Sequence, residues 1–469
     1  MDVIFASARD LAQQIRSRQV SCREVMSAFL GQIARLNPQL NAIVAKLDDD
    51  ACLMLADKAD KAFANGGPIG PLHGLPTAFK DLEPAVGFPQ SKGSPLFKTF
   101  MPAADSVLVE RIRRAGAVPV GKTNVPEFGM GSQTYNTVYG TTLNPYDRSK
   151  TAGGSSGGAA VAVATGMLPI ADGGDLGGSL RNPANFNNIV ALRPSVGLVP
   201  IAPSTIPFIG VSTKGAMARS VADVAFGLSA IAGADPRDPQ SWASDPQVFA
   251  SPLDRDWKGT RVAWAIDLGG LPLDRRVRTV LEAQRRTFED LGCIVEDACP
   301  DFGNVNDIFL TLRTWESWTT YRDLLAQHRA QFKPDAVWDI ESGAHLTGED
   351  LGCALLQQGQ LIERMRVFQE TYPFLICAVN QVPPFDASEP WPKSIDGVAM
   401  ENYVAWMKTA YWISTTCCPA ISVPAGFTSD GLPVGVQIVG RYRRDFDVLR
   451  IAHAFEQATG FGRKRPPDA

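Results

Sequence analysis

The chain has 469 residues, 45% of them hydrophobic and 20% charged, with a formal net charge of −4 and a pI near 5.7. That length can bury a large core, and the balance is ordinary for a globular protein in water. A mildly acidic chain with no Lys/Arg run lacks the cationic surface that displaces phosphate counterions, which removes nucleic acid from the expected partners.

The first residues, Met1-Asp2-Val3-Ile4-Phe5, are soon followed by charged positions, so no export signal is expected. No apolar run approaches the roughly 18 residues that a membrane span needs. The cysteines at 22, 52, 293, 299, 353, 377, 417 and 418 show no CxxC spacing and are read as reduced core thiols. Together these features predict a cytoplasmic protein without membrane contact.

In chain order, 6–36 reads as two amphipathic helices. Val25, Phe29, Ile33 and Leu36 recur at helical spacing, and Asn37-Pro38 is expected to stop the second helix. From about 70 to 215 glycine and proline are dense, and helix patterns alternate with short apolar strands, the signature of an α/β fold whose sheet is covered on both faces. Val107 to Ala115 reads as a helix, Ala117 to Val120 as a strand, and Ala159 to Gly166 as a helix of small residues. Further helices are expected at 221–232 and 276–291, around a strand at 261–266. The stretch 300–412 is rich in aromatic residues on amphipathic helices. Strands return from 413, turn at Gly431-Leu432-Pro433, and end in a closing helix by 457. No internal repeat or linker divides the chain, so 1–469 is expected to be a single domain with an elaborated region at about 300–412.

Two standard motif spellings occur in the chain. Gly116 to Thr123 spells a P-loop, but a helix precedes it and its interior reads as a strand, whereas a P-loop follows a strand and is itself a loop. Gly153-Gly154-Ser155-Ser156-Gly157 spells a nucleophile elbow, which needs an acid and then a histidine downstream. Of the four histidines, 73, 328, 345 and 453, only the last three follow Ser155, and none of those sits in a glycine-rich loop that would present it at an active site. Metal chemistry has no support either: there is no HExxH, no His/Cys cluster and no ligand-rich loop, and no cofactor is expected.

What remains are two glycine-flanked serine segments, 151–158 and 173–181, separated by the small-residue helix, and a lysine at the end of an apolar segment, Phe79-Lys80-Asp81. A single such serine would be read as a flexible turn. Two of them, with a lysine that burial could hold neutral, suit activation of a hydroxyl nucleophile. Glycine-rich backbone before a serine can also aim several N–H groups at one point, as an oxyanion hole requires.

At these residues the sequence resembles the amidase signature family of Ser-Ser-Lys amidohydrolases. The matching segments are Lys80-Asp81, Gly153 to Gly158 and Asp175 to Ala184, with support from Gly70 to Pro76, Gly121 to Asn124, Asn144 to Asp147, Ala218 to Ser220 and Gly431 to Gln437. The resemblance implies an α/β/α sandwich around a large mixed β-sheet. It also implies roles: Ser179 as nucleophile, Ser155 as the bridge to Lys80, and backbone N–H groups of Leu176, Gly177, Gly178 and Ser179 around the oxyanion. Ser156, Asp175 and Arg181 would support the loop. Gly174, Asn187, Asn188, Ala191, Arg193, Ser195 and Cys418 depart from the family pattern; they bear on substrate rather than on the chemistry.

The expected activity is hydrolysis of amide C–N bonds through an acyl-enzyme, leaning to hydrophobic or aryl amides, anilides and carbamates (urethanes), with esterase side activity. The expected partner is a small amide or carbamate, and a homodimer is left open. The alternative within the family is the A subunit of a tRNA-dependent amidotransferase; a different class is a non-catalytic binding protein of the same fold. Trp315, Trp318, Tyr321, Trp338, Trp391, Trp406 and Trp412 could line an apolar pocket, although aromatic stripes on helices usually pack in the core.

Overall fold

The computed structural model describes residues 3–67 and 69–469; Met1 and Asp2, part of the N-terminal reading above, lie outside the described residues. Eight strands form one mixed sheet in the order Ile294–Asp297, Arg261–Trp264, Phe374–Ala378, Pro433–Gly440, Ala420–Phe427, Val190–Arg193, Thr213–Ala218 and Ile170–Asp175. The first three run parallel to one another and each later pairing is antiparallel. Alternation along single strands shows how the sheet is covered. Phe374, Ile376 and Ala378 join the large core that holds the N-terminal helices and the closing helix. Leu375 and Cys377 join a second core built with the helices Val305–His328 and Gly348–Thr371. Successive strand residues point to opposite faces, so both faces are buried and the architecture is an α/β/α sandwich.

A separate three-stranded sheet, Ile43–Val44, Val118–Thr123 and Pro76–Lys80, carries the lysine of interest. The strand Val118–Thr123 runs straight through Gly121-Lys122-Thr123. Lys122 is buried and donates to the Glu83 carbonyl, so the P-loop spelling is strand, not phosphate cradle.

Two boundaries differ from the sequence expectation. The helix Cys22–Leu40 continues over Asn37 and Pro38. The Asn37 side chain offsets the cost of a proline there by securing the exit: it accepts from the N–H groups of Ala42 and Ile43 and donates to the Ile43 carbonyl. The span 276–291 is two helices, Arg275–Glu282 and Arg285–Asp290, broken at Ala283-Gln284. The other expected elements appear as Val107–Arg114, Gly157–Ala164, Val221–Ile231 and Asp445–Thr459. Among the described residues no helix is long and apolar enough to cross a membrane, and no three or more His, Cys, Asp or Glu residues gather as metal ligands.

Candidate active site

The strand Pro76–Lys80 ends at the main sheet. There the Lys80 N–H donates to the Asp172 carboxylate at 3.1 Å, which joins the small sheet to the strand Ile170–Asp175. The Lys80 side chain is buried and donates from Nζ to Ser155 Oγ at 2.8 Å, to Ser156 Oγ at 2.9 Å and to the Gly174 carbonyl at 3.4 Å. Burial, and then the like charge of Lys214, bring its pKa down from 10.5 to about 7. At neutral pH a large share of this lysine is an uncharged amine.

The first serine segment packs on neighbouring main chain through a close approach that only glycine permits. A Cβ on Gly158 would sit 2.3 Å from the Asn124 nitrogen and 2.5 Å from the Ala42 oxygen, so the helix Gly157–Ala164 presses directly on neighbouring main chain. The Ser156 N–H donates to the Ser179 carbonyl at 3.2 Å, tying the two segments together. Ser132 and Thr134 donate to the carbonyls of Gly154 and Gly153, at 2.5 and 2.7 Å.

Asp175 organises the second segment. It is buried, and it accepts from Arg181 Nη2 at 2.9 Å and Nε at 3.0 Å, from Arg193 at 3.3 Å, and from the N–H groups of Gly178 and Leu180. Burial alone would raise its pKa, but the Arg181 and Arg193 guanidiniums outweigh it and hold the carboxyl well below the usual range. Arg181 is anchored further by the Ala410 carbonyl at 3.0 Å, Ser414 Oγ at 2.7 Å and the Gln437 side-chain oxygen. Asp175 and Arg181 thus form a buried ion pair at the second serine segment. Arg193, noted in the sequence only as a departure, completes it.

One expectation is revised. The Gly178 N–H is already bonded to Asp175 at 2.9 Å, so it cannot also face an oxyanion. The N–H groups of Leu176, Gly177 and Ser179 donate to no protein acceptor among the described residues. Lys80, Ser155, Ser179, Leu176 and Gly177 line one cavity of about 340 Å³. Ser156 stands behind it on Lys80, and Arg181 behind Asp175. His453 lies on the closing helix beside Glu456 at 3.7 Å, outside this cavity.

The aromatic expectation holds only for Tyr321. Among the residues named for 300–412, it is the one at the cavity wall, with its ring 4.8 Å from that of Phe128. Trp406 is buried in a core cluster, stacked on Phe186, and the Trp412 indole donates to Asn306. The other apolar wall residues, among them Phe128, Ile206, Ile209 and Met407, come from loops and two single-turn helices that carry no periodic signal.

Sequence reasoning also missed the ion pair of Lys214 with Glu83 beside Lys80. Glu83 is buried and takes a further hydrogen bond from Ser106 at 2.9 Å. Its place three residues after Lys80 was a usable signal. Lys214 gave none, being far along the chain. It lies against Gly174, where a Cβ would sit 3.4 Å from the Lys214 side chain, an ordinary contact distance.

The family profile for Amidase matches residues 24–449. An acylamidase of Rhodococcus erythropolis is 34% identical over 468 residues, covering 99% of this chain and 98% of the relative. The A subunit of a glutamyl-tRNA(Gln) amidotransferase from a Cyanothece species is 32% identical, covering 98% of this chain and all of the relative. Among solved structures, a bacterial aryl acylamidase of the amidase signature family superposes with a TM-score of 0.91 at 28% identity, over 99% of this chain and 100% of its own. With the family's profile spanning most of the chain and relatives matching end to end, this protein belongs to the amidase signature family and is an amide hydrolase.

Proposed function

We propose that the chain is a single-domain, free-standing serine amidase acting on amides with a bulky hydrophobic or aryl group, and on carbamates and esters of similar shape. The observation that carries this reading is the buried Lys80 amine, held at once by Ser155 and Ser156 in the cavity that Ser179 lines.

In this mechanism Ser179 Oγ bonds to the substrate carbonyl carbon while its proton passes to Ser155 and the Ser155 proton passes to neutral Lys80. The negative charge on the carbonyl oxygen is received by the free N–H groups of Leu176, Gly177 and Ser179. The C–N bond then breaks, and the leaving amine takes the proton returned through Ser155. Water repeats the attack on the acyl-enzyme, releasing the acid and restoring Ser179. Phe128, Tyr321, Ile206 and Met407 supply an apolar wall, which supports the preference for aryl or alkyl groups.

The test is an assay of the purified chain and its Ser179→Ala variant on anilides, one aryl carbamate and one ester. Turnover by the wild type that is lost in the variant is expected; unchanged turnover in the variant sinks the nucleophile assignment. The likeness to the amidotransferase relative favours a second reading, a component that works only with partner subunits. A chain that is inert alone but hydrolyses glutamine once partner subunits are added would establish that reading instead.

The pH profile is a second expectation. Because the neutral amine is the base, kcat/KM should rise with pH through about 7 and level off above it. Lys214 lowers the Lys80 pKa and Glu83 raises it. Lys214→Met should therefore move the rising limb to higher pH and Glu83→Gln to lower pH, each on the order of one unit. Shifts in the same direction would refute this coupling.

A further inference from the structure

Among the described residues every charged group on the cavity wall except one is hydrogen-bonded or ion-paired to protein. Lys80 is bonded to the two serines, and Asp175 to two arginines. Lys214 is paired with Glu83, and Asp238 accepts from the N–H groups of Ile201 and Gln240 at 2.8 and 2.9 Å. Arg313 donates to Asp339 at 2.7 Å and to the Tyr403 hydroxyl at 2.6 Å, and Ser317 and Tyr403 complete the shell of that aspartate. Glu316, on the same face of the helix Val305–His328 as Arg313, Ser317 and Thr320, has no hydrogen bond or ion pair among the described residues.

An acid on solvated surface needs no partner, but Glu316 is partly buried on the wall of a cavity. Burial raises its pKa, and the Arg313 charge only partly offsets this. A carboxylate offers acceptors only, so what would complete it is a donor, and a cationic donor also balances its charge.

We propose, resting on the amidase reading above, that Glu316 receives a protonated amine carried by the substrate. The preferred substrates are then amides with an apolar body and an ammonium group remote from the scissile bond. The body packs against Phe128, Tyr321 and Met407 while the charged end meets Glu316. This places a specificity-determining carboxyl outside the reacting atoms.

Two matched pairs test it. One pair is 5-aminopentanoyl and hexanoyl p-nitroanilide; the other is the hexanoyl amides of 4-(aminomethyl)aniline and 4-ethylaniline. Within each pair an ammonium replaces a methyl group. Binding is measured by calorimetry on Ser179→Ala, where no turnover is needed, and on Ser179→Ala combined with Glu316→Gln. In at least one pair the ammonium member should bind about tenfold tighter or more, the scale of one charge-assisted hydrogen bond, and the second variant should erase that preference. The neutral member should bind both variants alike, which also reports an intact cavity. Equal binding within both pairs, no binding of either ammonium compound, or a preference that survives Glu316→Gln overturns the proposal. Hydrolysis of the neutral anilide by the wild-type chain is scored separately, so failure of the amidase reading is distinct from failure of the Glu316 assignment.

Discussion

Lys80→Met should lower kcat by about 10³-fold to 10⁴-fold, near the upper range for removing a general acid–base group, while leaving the fold intact. Methionine copies the length of the lysine stem, and the site it enters is already buried. The variant removes a group that burial disfavours in its charged form, so its thermal midpoint should stay level or rise. The two serines lose a donor, but each keeps a hydroxyl that can rotate toward a neighbour: Ser156 Oγ already lies 3.5 Å from the Gly174 carbonyl. Lys80→Arg is the sharper control. A guanidinium keeps the positive charge and the donors but cannot become neutral in this pH range, so it should be as inactive as methionine. Arginine supporting substantial turnover would mean that Lys80 orients the serines rather than taking their protons. Activity in the methionine variant would remove the lysine from the chemistry altogether.

The parts of this site that the sequence discloses are those whose chemistry depends on local spelling. Glycine-flanked serines and a lysine ending an apolar strand each state their requirement within a few residues, and the structure brings Lys80, Ser155 and Ser179 to one cavity. Strand and helix order were readable for a similar reason, because the periodicity of Val107 to Ala115 or of 221–232 is a local property. What stayed hidden depends on which distant segments meet. The Gly178 amide looks as available as its neighbours until the loop closes on Asp175 and takes it. Lys214 acquires meaning only when the antiparallel pairing of Thr213–Ala218 with Ile170–Asp175 sets it against Gly174 and near Glu83. Trp406 and Trp412 mark packing, since large apolar side chains serve a core and a pocket equally well and sequence does not separate the two. The run past Pro38 has the same origin: Asn37 looks like a helix stop, and its side chain instead caps a longer helix.

Asp175→Asn should cost about 3–5 kcal/mol in unfolding free energy, the scale for removing one partner of a buried ion pair, because it strands two buried guanidiniums at once. Asparagine keeps one oxygen, so the Gly178 or Leu180 N–H can retain an acceptor, but the charge that compensates Arg181 and Arg193 is gone. Denaturant unfolding at several pH values measures the loss. The sign follows from the depressed folded-state pKa: Asp175 contributes stability that is fully present above its unfolded value near 3.8 and fades only as pH falls through the folded one. Between pH 5 and 8 the aspartate is ionised in both states, so the penalty should be flat there. Lys80, in the same cavity, should make kcat/KM change steeply across that same range. Stability and turnover are thus expected to follow different groups, even though Asp175 and Ser179 are only four residues apart. A penalty under about 1 kcal/mol would mean that Gln437, Ser414 and the surrounding carbonyls already satisfy both guanidiniums, leaving Asp175 to act mainly through the Gly178 amide that it withholds from the oxyanion.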